Sequence, residues 1–283
     1  MKVLYISSRD NPRIKLLAAL AANPRERHRH GQTLLDGPHL LDCALDAGVP
    51  LLEVCVSMSG RNNTEIAALL ARLPVGLEPL CVPDALFERI STVETPTGIL
   101  ARVAIPEVSA AASNAGEGAV VVLDAVQDPG NLGSILRTAV AAGVGTIWLT
   151  PGCAQAWAPK VLRAGMGAHF HLSISEQVDV LALLHDYPGK VIATGLSANA
   201  EDVYAVDLAC PLIWLFGAEG QGVCAPLLAR ATAIVTIPMA AGVESLNVGA
   251  AAAICLFEQA RQRRVCGKAQ AWGGAKLVGL HEG

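Results

Sequence analysis

The segment from Ala233 to Arg261, AIVTIPMAAGVESLNVGAAAAICLFEQAR, constrains the fold of this chain more than any other. Its opening run, Ala233 to Ile237, is apolar and rich in β-branched residues, which predicts a short strand. Pro238 has no N–H to give a sheet ladder, so the strand should stop there. A loop containing Gly242 leads to Ser245-Leu246-Asn247, either end of which can cap a helix by accepting a bond from a free N–H. Val248 to Arg261 then reads as a helix whose first half is nearly all Ala and Gly. Without bulky knobs, such a helix can lie close to another backbone. A strand that stops at a polar loop opening a tightly packed helix is a place where a ligand meets backbone amides.

Composition sets the frame around it. The 283 residues, 52% hydrophobic and 16% charged, suffice for one large domain or two ordinary ones. An Ala/Val/Leu/Gly-rich make-up suits parallel strands buried on both faces. The net charge of -4 argues against a surface that binds polyanions everywhere. Its distribution is uneven: Met1 to His30 carries seven Lys/Arg against two acids, and Glu258 onward five against two, leaving the middle at -12. Basic ends around an acidic body predict local contact with something anionic. The eight cysteines form no C-x-x-C pair and no grouping with histidine, so no metal is expected. MKVLYISSRDNP lacks the apolar region of a signal peptide, and the apolar run of the last helix falls short of the roughly 20 residues a bilayer needs. The expectation is a reduced, cytoplasmic protein without membrane contact.

The first hundred residues alternate. A helix over Arg13–Ala22, with Pro12 just inside its start, precedes a basic tract from Arg25 to His30. Strands are predicted at Thr33–Asp36, Leu51–Ser57, Leu77–Val82 and Ile99–Ala104, and helices at Pro38–Ala47, Thr64–Arg72 and Asp84–Ser91. This is a compact α/β unit, 1–106. Arg9, Arg13, Lys15, Arg25, Arg27 and Arg29 are candidates to grip phosphates, while His28, His30 and His39 have no partner pattern. EVSAAASNAGEG reads as a flexible linker over 107–118.

The second unit, 119–267 with a tail over 268–283, opens on a strand, Ala119–Asp124. A polar Gly/Pro turn and a helix to Ala142 follow, with Asn131 at the helix cap and Arg137 predicted on the same face. Thr146–Leu149 is a strand, and the loop beyond it carries Trp157, Lys160 and Arg163. His169 and His171 flank Phe170 on an apparent strand, with no third ligand for a metal. A helix over Glu176–Leu184 and strands at Lys190–Leu196 and Leu212–Phe216 continue the alternation. The last strand runs into Gly217-Ala218-Glu219-Gly220-Gln221-Gly222, which lets a backbone curl against a ligand. It is neither a dinucleotide fingerprint nor a phosphate loop. A carboxylate in the loop repels an anion, so a cationic or neutral adenosine-type ligand suits it better.

Three loops, each after a strand of one unit, thus carry Asn131/Gly133/Arg137, Gly217/Glu219/Gly220 and Ser245/Leu246/Asn247. This ordered set resembles the SpoU (TrmH) family of RNA ribose 2′-O-methyltransferases, within the SPOUT superfamily. NLGSILRTA, LFGAEGQG and IPMAAGVESLNV look like that family's first, second and third motifs, and SSRDNPRIK and LLDGPHLL stand where its N-terminal RNA-binding extension has its usual motifs. Ala218, Ala241 and Gly165 depart from the family's commoner residues.

The resemblance implies an α/β protein with a C-terminal trefoil knot, a smaller N-terminal substrate domain, and a homodimer. It implies S-adenosylmethionine in the knot, near Gly217, Gly220, Ile237, Leu246, Met239 and Thr194. It also implies RNA against Arg9, Arg13, Lys15, Arg27, Lys160 and Arg163. Asn131, Arg137, Glu219, Ser245 and Asn247 would carry catalysis on a ribose, of ribosomal RNA in the first instance and transfer RNA in the second. By analogy Arg137 is the base; because arginine resists deprotonation, the other role open to it is holding phosphate and stabilising alkoxide charge. A non-catalytic RNA-binding relative, a nucleotide-cofactor oxidoreductase and an RNA-base methyltransferase are the rival classes. The Asn/Arg pair argues against the first and third, and the missing dinucleotide fingerprint against the second.

Overall fold

A computed structural model describes residues 2–108, 119–197 and 199–267. The expected linker falls almost wholly outside these residues, and the expected tail entirely so.

Two sheets organise the chain. The first unit comprises β1 (Leu4–Tyr5), α1 (Pro12–Ala22), α2 (Pro24–His30), β2 (Gln32–Asp36), α3 (Pro38–Asp46), β3 (Leu51–Ser57), α4 (Thr64–Ala71), β4 (Leu80–Val82), α5 (Asp84–Ile90) and β5 (Ile99–Ala104). Its strands lie in the order β1-β4-β3-β5-β2, with β1, β4 and β3 parallel and β5 antiparallel to both neighbours. The second comprises β6 (Val120–Asp124), α6 (Pro129–Ala141), β7 (Thr146–Leu149), α7 (Pro159–Gly165), β8 (Ser173–Ser175), α8 (Val180–His185), β9 (Lys190–Thr194), β10 (Glu201–Asp202), β11 (Leu212–Gly217), α9 (Ala225–Leu228), β12 (Ala233–Thr236) and α10 (Val248–Val265). All its strand pairs are parallel, in the order β10-β12-β9-β11-β6-β7-β8. The apolar runs of β6 and β11 are buried along their length, as strands covered on both faces must be.

Several expected elements shift, each for a local reason. The basic tract from Arg25 is a helix: Asn23 ends α1 and its side chain caps α2, with Pro24 at the first position and Gly31 left-handed at the end. The strand expected over Leu77–Val82 begins only at Leu80, after Pro79. His169 and His171 lie on a short 3-10 helix, Ala168–His171, and not on a strand; Met166 and Gly167, both at positive φ, turn the chain into it. The helix expected from Glu176 starts at Val180, because Gln177 is left-handed and Asp179 provides the cap.

The tight backbone approach expected at the Ala/Gly-rich helix occurs one layer away. A Cβ on Gly133 of α6 would lie 2.4 Å from the Ala164 Cβ and 2.7 Å from the Val161 oxygen of α7. On α10, a Cβ on Gly249 would make only ordinary contacts with α6, 3.7 Å from the Ser134 Oγ and 3.9 Å from the Asn131 Oδ1. α10 is tied down by Val248, Ala252, Cys255 and Leu256, which join the apolar core, and by polar bonds. Buried Trp214 donates its Nε1–H to the Gln259 Oε1 at 2.9 Å. Gln262 accepts from the Leu208 N–H at 2.8 Å and donates to the Val206 oxygen at 3.0 Å. These bonds satisfy buried polar groups, side-chain and backbone, that would otherwise be left stranded.

The two units share one core. A single apolar cluster runs from Leu35, Leu41 and Ala44 through Leu132, Ile135 and Trp157 to Trp214 and Leu256. At the seam, the Thr33 hydroxyl donates to the Trp157 oxygen at 2.7 Å. Among the described residues, no helix is long and apolar enough to cross a membrane.

Candidate active site

The strand order of the second sheet reverses between β11 and β6, and an open parallel sheet receives ligands outside the carboxyl ends of its strands at such a point. β12, β9, β11 and β6 are adjacent, so the loops that leave their carboxyl ends converge. Each is locally determined. After β6, Pro129 fills the first position of α6, and the Asp128 side chain caps it by accepting the Asn131 N–H at 2.7 Å. Asp128, not Asn131, is therefore the cap. A carboxylate followed by proline was the available sequence signal. After β11 the chain turns back on itself: Gly222 donates to the Ala218 oxygen at 2.9 Å, with Gly220 and Gly222 at positive φ. Gly217 cannot be replaced here, since its Cβ would fall 1.9 Å from the Gly222 carbonyl carbon. After β12, Asn247 caps α10, its Oδ1 accepting from Gly249 and Ala250 N–H at 2.9 and 3.2 Å.

These three loops are fastened by their own polar side chains. The Glu219 Oε1 accepts from the Asn131 Nδ2 at 2.7 Å and from the Asn247 Nδ2 at 2.6 Å. The Asn247 Nδ2 also donates to the Asn131 Oδ1 at 2.9 Å. One oxygen of Glu219 thus orients both amides. Ser245 is exposed.

Beside this triad lies a cavity of about 700 Å³, within the range of small-molecule sites. Its lining joins apolar side chains (Val235, Ile237, Met239, Leu246) to the backbone of Gly195 and Gly217–Gly222. Every expected cofactor residue lines it: Thr194, Gly217, Gly220, Ile237, Met239 and Leu246. The sequence reading passed over Gln221, Glu244 and Ala251, which line it too and stand within a few positions of the motif residues. The lining holds the carboxylates of Glu219 and Glu244 and no Lys or Arg. That balance suits a cation with a large apolar and hydrogen-bonding body.

The remaining expected residues are dispersed. Arg137 is exposed on α6 and lines no part of the cavity; six residues past Asn131, it sits about 120° away around the helix, not on one face with it. Lys160 and Arg163 are exposed on α7, which packs against α6. Arg9 is exposed, and Lys15 pairs with Asp10 at 3.0 Å. Arg13 is half-buried and joins Arg102 on the buried carboxylate of Glu53. Arg27 must be withdrawn as an RNA contact: it is 5% exposed, and its guanidinium donates to the Leu20 oxygen at 2.8 Å and the Gln155 Oε1 at 3.2 Å. It belongs to the seam between the units.

His169 is also structural. It is buried against Trp157, its Nε2 lies 2.8 Å from the Ala156 oxygen, and burial lowers its pKa to about 4. A Cβ on Gly165 would lie 2.6 Å from its Cε1, which accounts for glycine there. Among the described residues, no group of three or more His, Cys, Asp or Glu could hold a metal. All eight cysteines are free, and burial pushes the Cys255 thiol up to about 12.

A parallel sheet with an acid-lined cavity at its topological switch, packed against a second α/β unit, defines an α/β protein built to bind a small cationic or neutral ligand at the sheet edge. Comparison with known proteins gives that class its family. Residues 118–257 match the SpoU rRNA Methylase family, and residues 11–101 match the MRM3-like substrate binding domain. The chain is 35% identical to an uncharacterized tRNA/rRNA methyltransferase of Synechocystis sp., covering 92% of this chain and 95% of that one. It is 31% identical to the 23S rRNA (guanosine(2553)-2'-O)-methyltransferase RlmP of Bacillus subtilis, covering 89% and 97%. Among solved structures, an AdoMet-bound rRNA methyltransferase from Sinorhizobium meliloti is similar with a TM-score of 0.78 and 29% identity, covering 92% of this chain and 98% of that one. This chain belongs to the SpoU methylase family.

Proposed function

We propose that this chain methylates the 2′-hydroxyl of a ribose in ribosomal RNA, with S-adenosylmethionine as donor. The observation that carries this reading is the Asn131–Glu219–Asn247 triad at the edge of an acid-lined cavity. Thr194, Gly217, Gly220, Ile237, Met239 and Leu246 hold the donor, whose charge Glu219 and Glu244 balance. When bound, S-adenosylmethionine supplies an electrophilic methyl group. The triad fixes three loops against one another and, with the Ser245 hydroxyl, orients the ribose; alignment of this kind can remove several kcal/mol of barrier. Arg137, an exposed guanidinium, holds the flanking phosphate and stabilises charge developing on the ribose oxygen. Exposed Arg9, Lys15, Lys160 and Arg163 are the RNA contacts.

On this reading 1–106 is the substrate domain, 107–118 a linker and 119–267 the catalytic domain, its last helix threaded as a knot. The docking of α10 on α6, after a loop that must pass the cavity, supports the threading. The enzyme acts as a cytoplasmic homodimer. Support for the dimer comes from α10, where Ala250, Ile254 and Phe257 recur on one face and Phe257 is 48% exposed.

The test is transfer of labelled methyl to in vitro transcribed ribosomal and transfer RNA, with nucleoside analysis of the product. A 2′-O-methylated nucleotide in ribosomal RNA is expected. Arg137→Ala should cut turnover by at least about 100-fold while calorimetry finds S-adenosylmethionine bound as before. A methylated base, transfer to transfer RNA alone, or near-normal turnover of the variant would each overturn the corresponding part.

A further inference from the structure

The loops that carry Asn131 and Glu219 share a support below the site. Asp124, the last residue of β6, is 7% exposed and stands in register with Gly217 at the end of β11. Its Oδ2 accepts the Cys224 N–H at 2.8 Å and its Oδ1 accepts the Thr150 hydroxyl at 2.9 Å. Cys224 ends the loop that opens at Gly217 and carries Glu219, so the first bond closes that loop onto β6. Thr150 in turn accepts the Ala125 N–H at 3.0 Å. Ala125 sits at φ 53°, a left-handed conformation that a residue with a Cβ adopts only when its surroundings impose it. Three residues later Asp128 caps α6 through the Asn131 N–H. Two donors, an N–H and an O–H, therefore converge on one side chain, and a carboxylate accepts on both branches. Asp124 neither lines the cavity nor joins the triad, so it acts only through other residues.

We propose that Asp124 is a positioning residue for methyl transfer: through Cys224 it fixes the loop of Glu219 and with it the cofactor cavity, and through Thr150 and Ala125 it fixes Asn131. This rests on the methyltransferase reading above. The two arms predict a split. Thr150→Val removes the acceptor for Ala125 and leaves the Cys224 bond intact. Its single-turnover rate should fall about tenfold or more while its affinity for S-adenosylmethionine stays within about twofold. Asp124→Ala releases both arms, so affinity and rate should each fall about tenfold or more. Asp124→Asn keeps both contacts, its oxygen on Cys224 and its amide donating to the Thr150 oxygen, and should restore most of both. A residue that served stability alone would not separate rate from affinity.

The experiment is calorimetry with S-adenosylmethionine, single-turnover transfer to ribosomal RNA transcripts, and thermal unfolding, on the full chain and the three variants. Variants that unfold earlier yet keep rate and affinity within about twofold would overturn the inference. So would a Thr150→Val chain that loses affinity as fully as Asp124→Ala. A wild-type chain that binds S-adenosylmethionine but methylates nothing would count against the methyltransferase reading alone. The affinity arm, with loss in Asp124→Ala and rescue in Asp124→Asn, would then decide the role of Asp124.

Discussion

The two units handle polar side chains in opposite ways. In the first, charges are closed on one another: Arg13 and Arg102 on buried Glu53, Arg72 on Asp42 and Asp46, Arg61 on the Tyr5 hydroxyl. In the second, the polar loops at the carboxyl edge are tied together on one side and open on the other, toward the cavity. Each unit also has a pair of glycines in backbone contact. A Cβ on Gly60 would lie 2.5 Å from the Gly98 oxygen, and one on Gly217 1.9 Å from the Gly222 carbonyl carbon. The chemistry is the same in both, and only the second pair borders a ligand site. Crowding of this kind marks where a backbone must pass close; what lies beside it decides whether function depends on it.

That contrast can be broken at its strongest point first. Gly217→Ala should lower stability by about 3 kcal/mol or more, since backbone must move to admit the methyl group. It should also weaken S-adenosylmethionine binding at least tenfold. Gly60→Ala should lower stability comparably and leave binding untouched; denaturant titration with calorimetry on both variants checks this, and equal effects on binding would dissolve the distinction. A smaller effect follows from His169 at the seam. Its pKa is about 4 in the folded chain against about 6.5 unfolded, so between these values the unfolded chain holds the extra proton. Stability should therefore rise with pH across that window and level off above it, with a total change of about 3 kcal/mol. His169→Gln should flatten this part of the curve relative to wild type in urea titrations at several pH values. Smallest, Arg27→Ala should lower stability by about 1 kcal/mol and leave the salt dependence of RNA binding unchanged. Exposed Arg9 and Arg163, each replaced by Ala, should do the reverse, reducing the slope of log K against log salt by about 0.7 to 0.9 per residue. A shallower slope for Arg27→Ala would restore it as an RNA contact.

The long central strands of the second unit were legible because β-branched runs such as Val120–Leu123 read as buried strands, whereas the short edge strands β8 and β10, of three and two residues, carry no such run and were missed. Its candidate site was legible because residues with distinctive backbone behaviour surround it: Pro129 and Pro238 fix φ, and Gly220 and Gly222 take the positive φ their turn requires. Other features depend on partners distant in sequence. Arg27 looks like one more cation of a basic tract, and nothing local says that Gln155 will meet it across the seam. Asp124 reads as the polar end of a strand, and its two donors come from 26 and 100 residues away. His169 seemed to lie on a strand because alternation over three residues is too short a pattern to exclude a 3-10 turn.

The apolar cluster that runs without interruption from Leu35 to Leu256 also has a mechanical meaning. Units joined through a common interior do not swing as separate bodies, so the span between Arg9 or Lys15 and the triad is set by packing. On the proposed function this makes the protein a ruler: an RNA gripped at the first unit would present for methylation only the nucleotide that its own folding places one fixed length away. An RNA whose helix is one base pair longer between those points would be held equally well and modified elsewhere, or not at all.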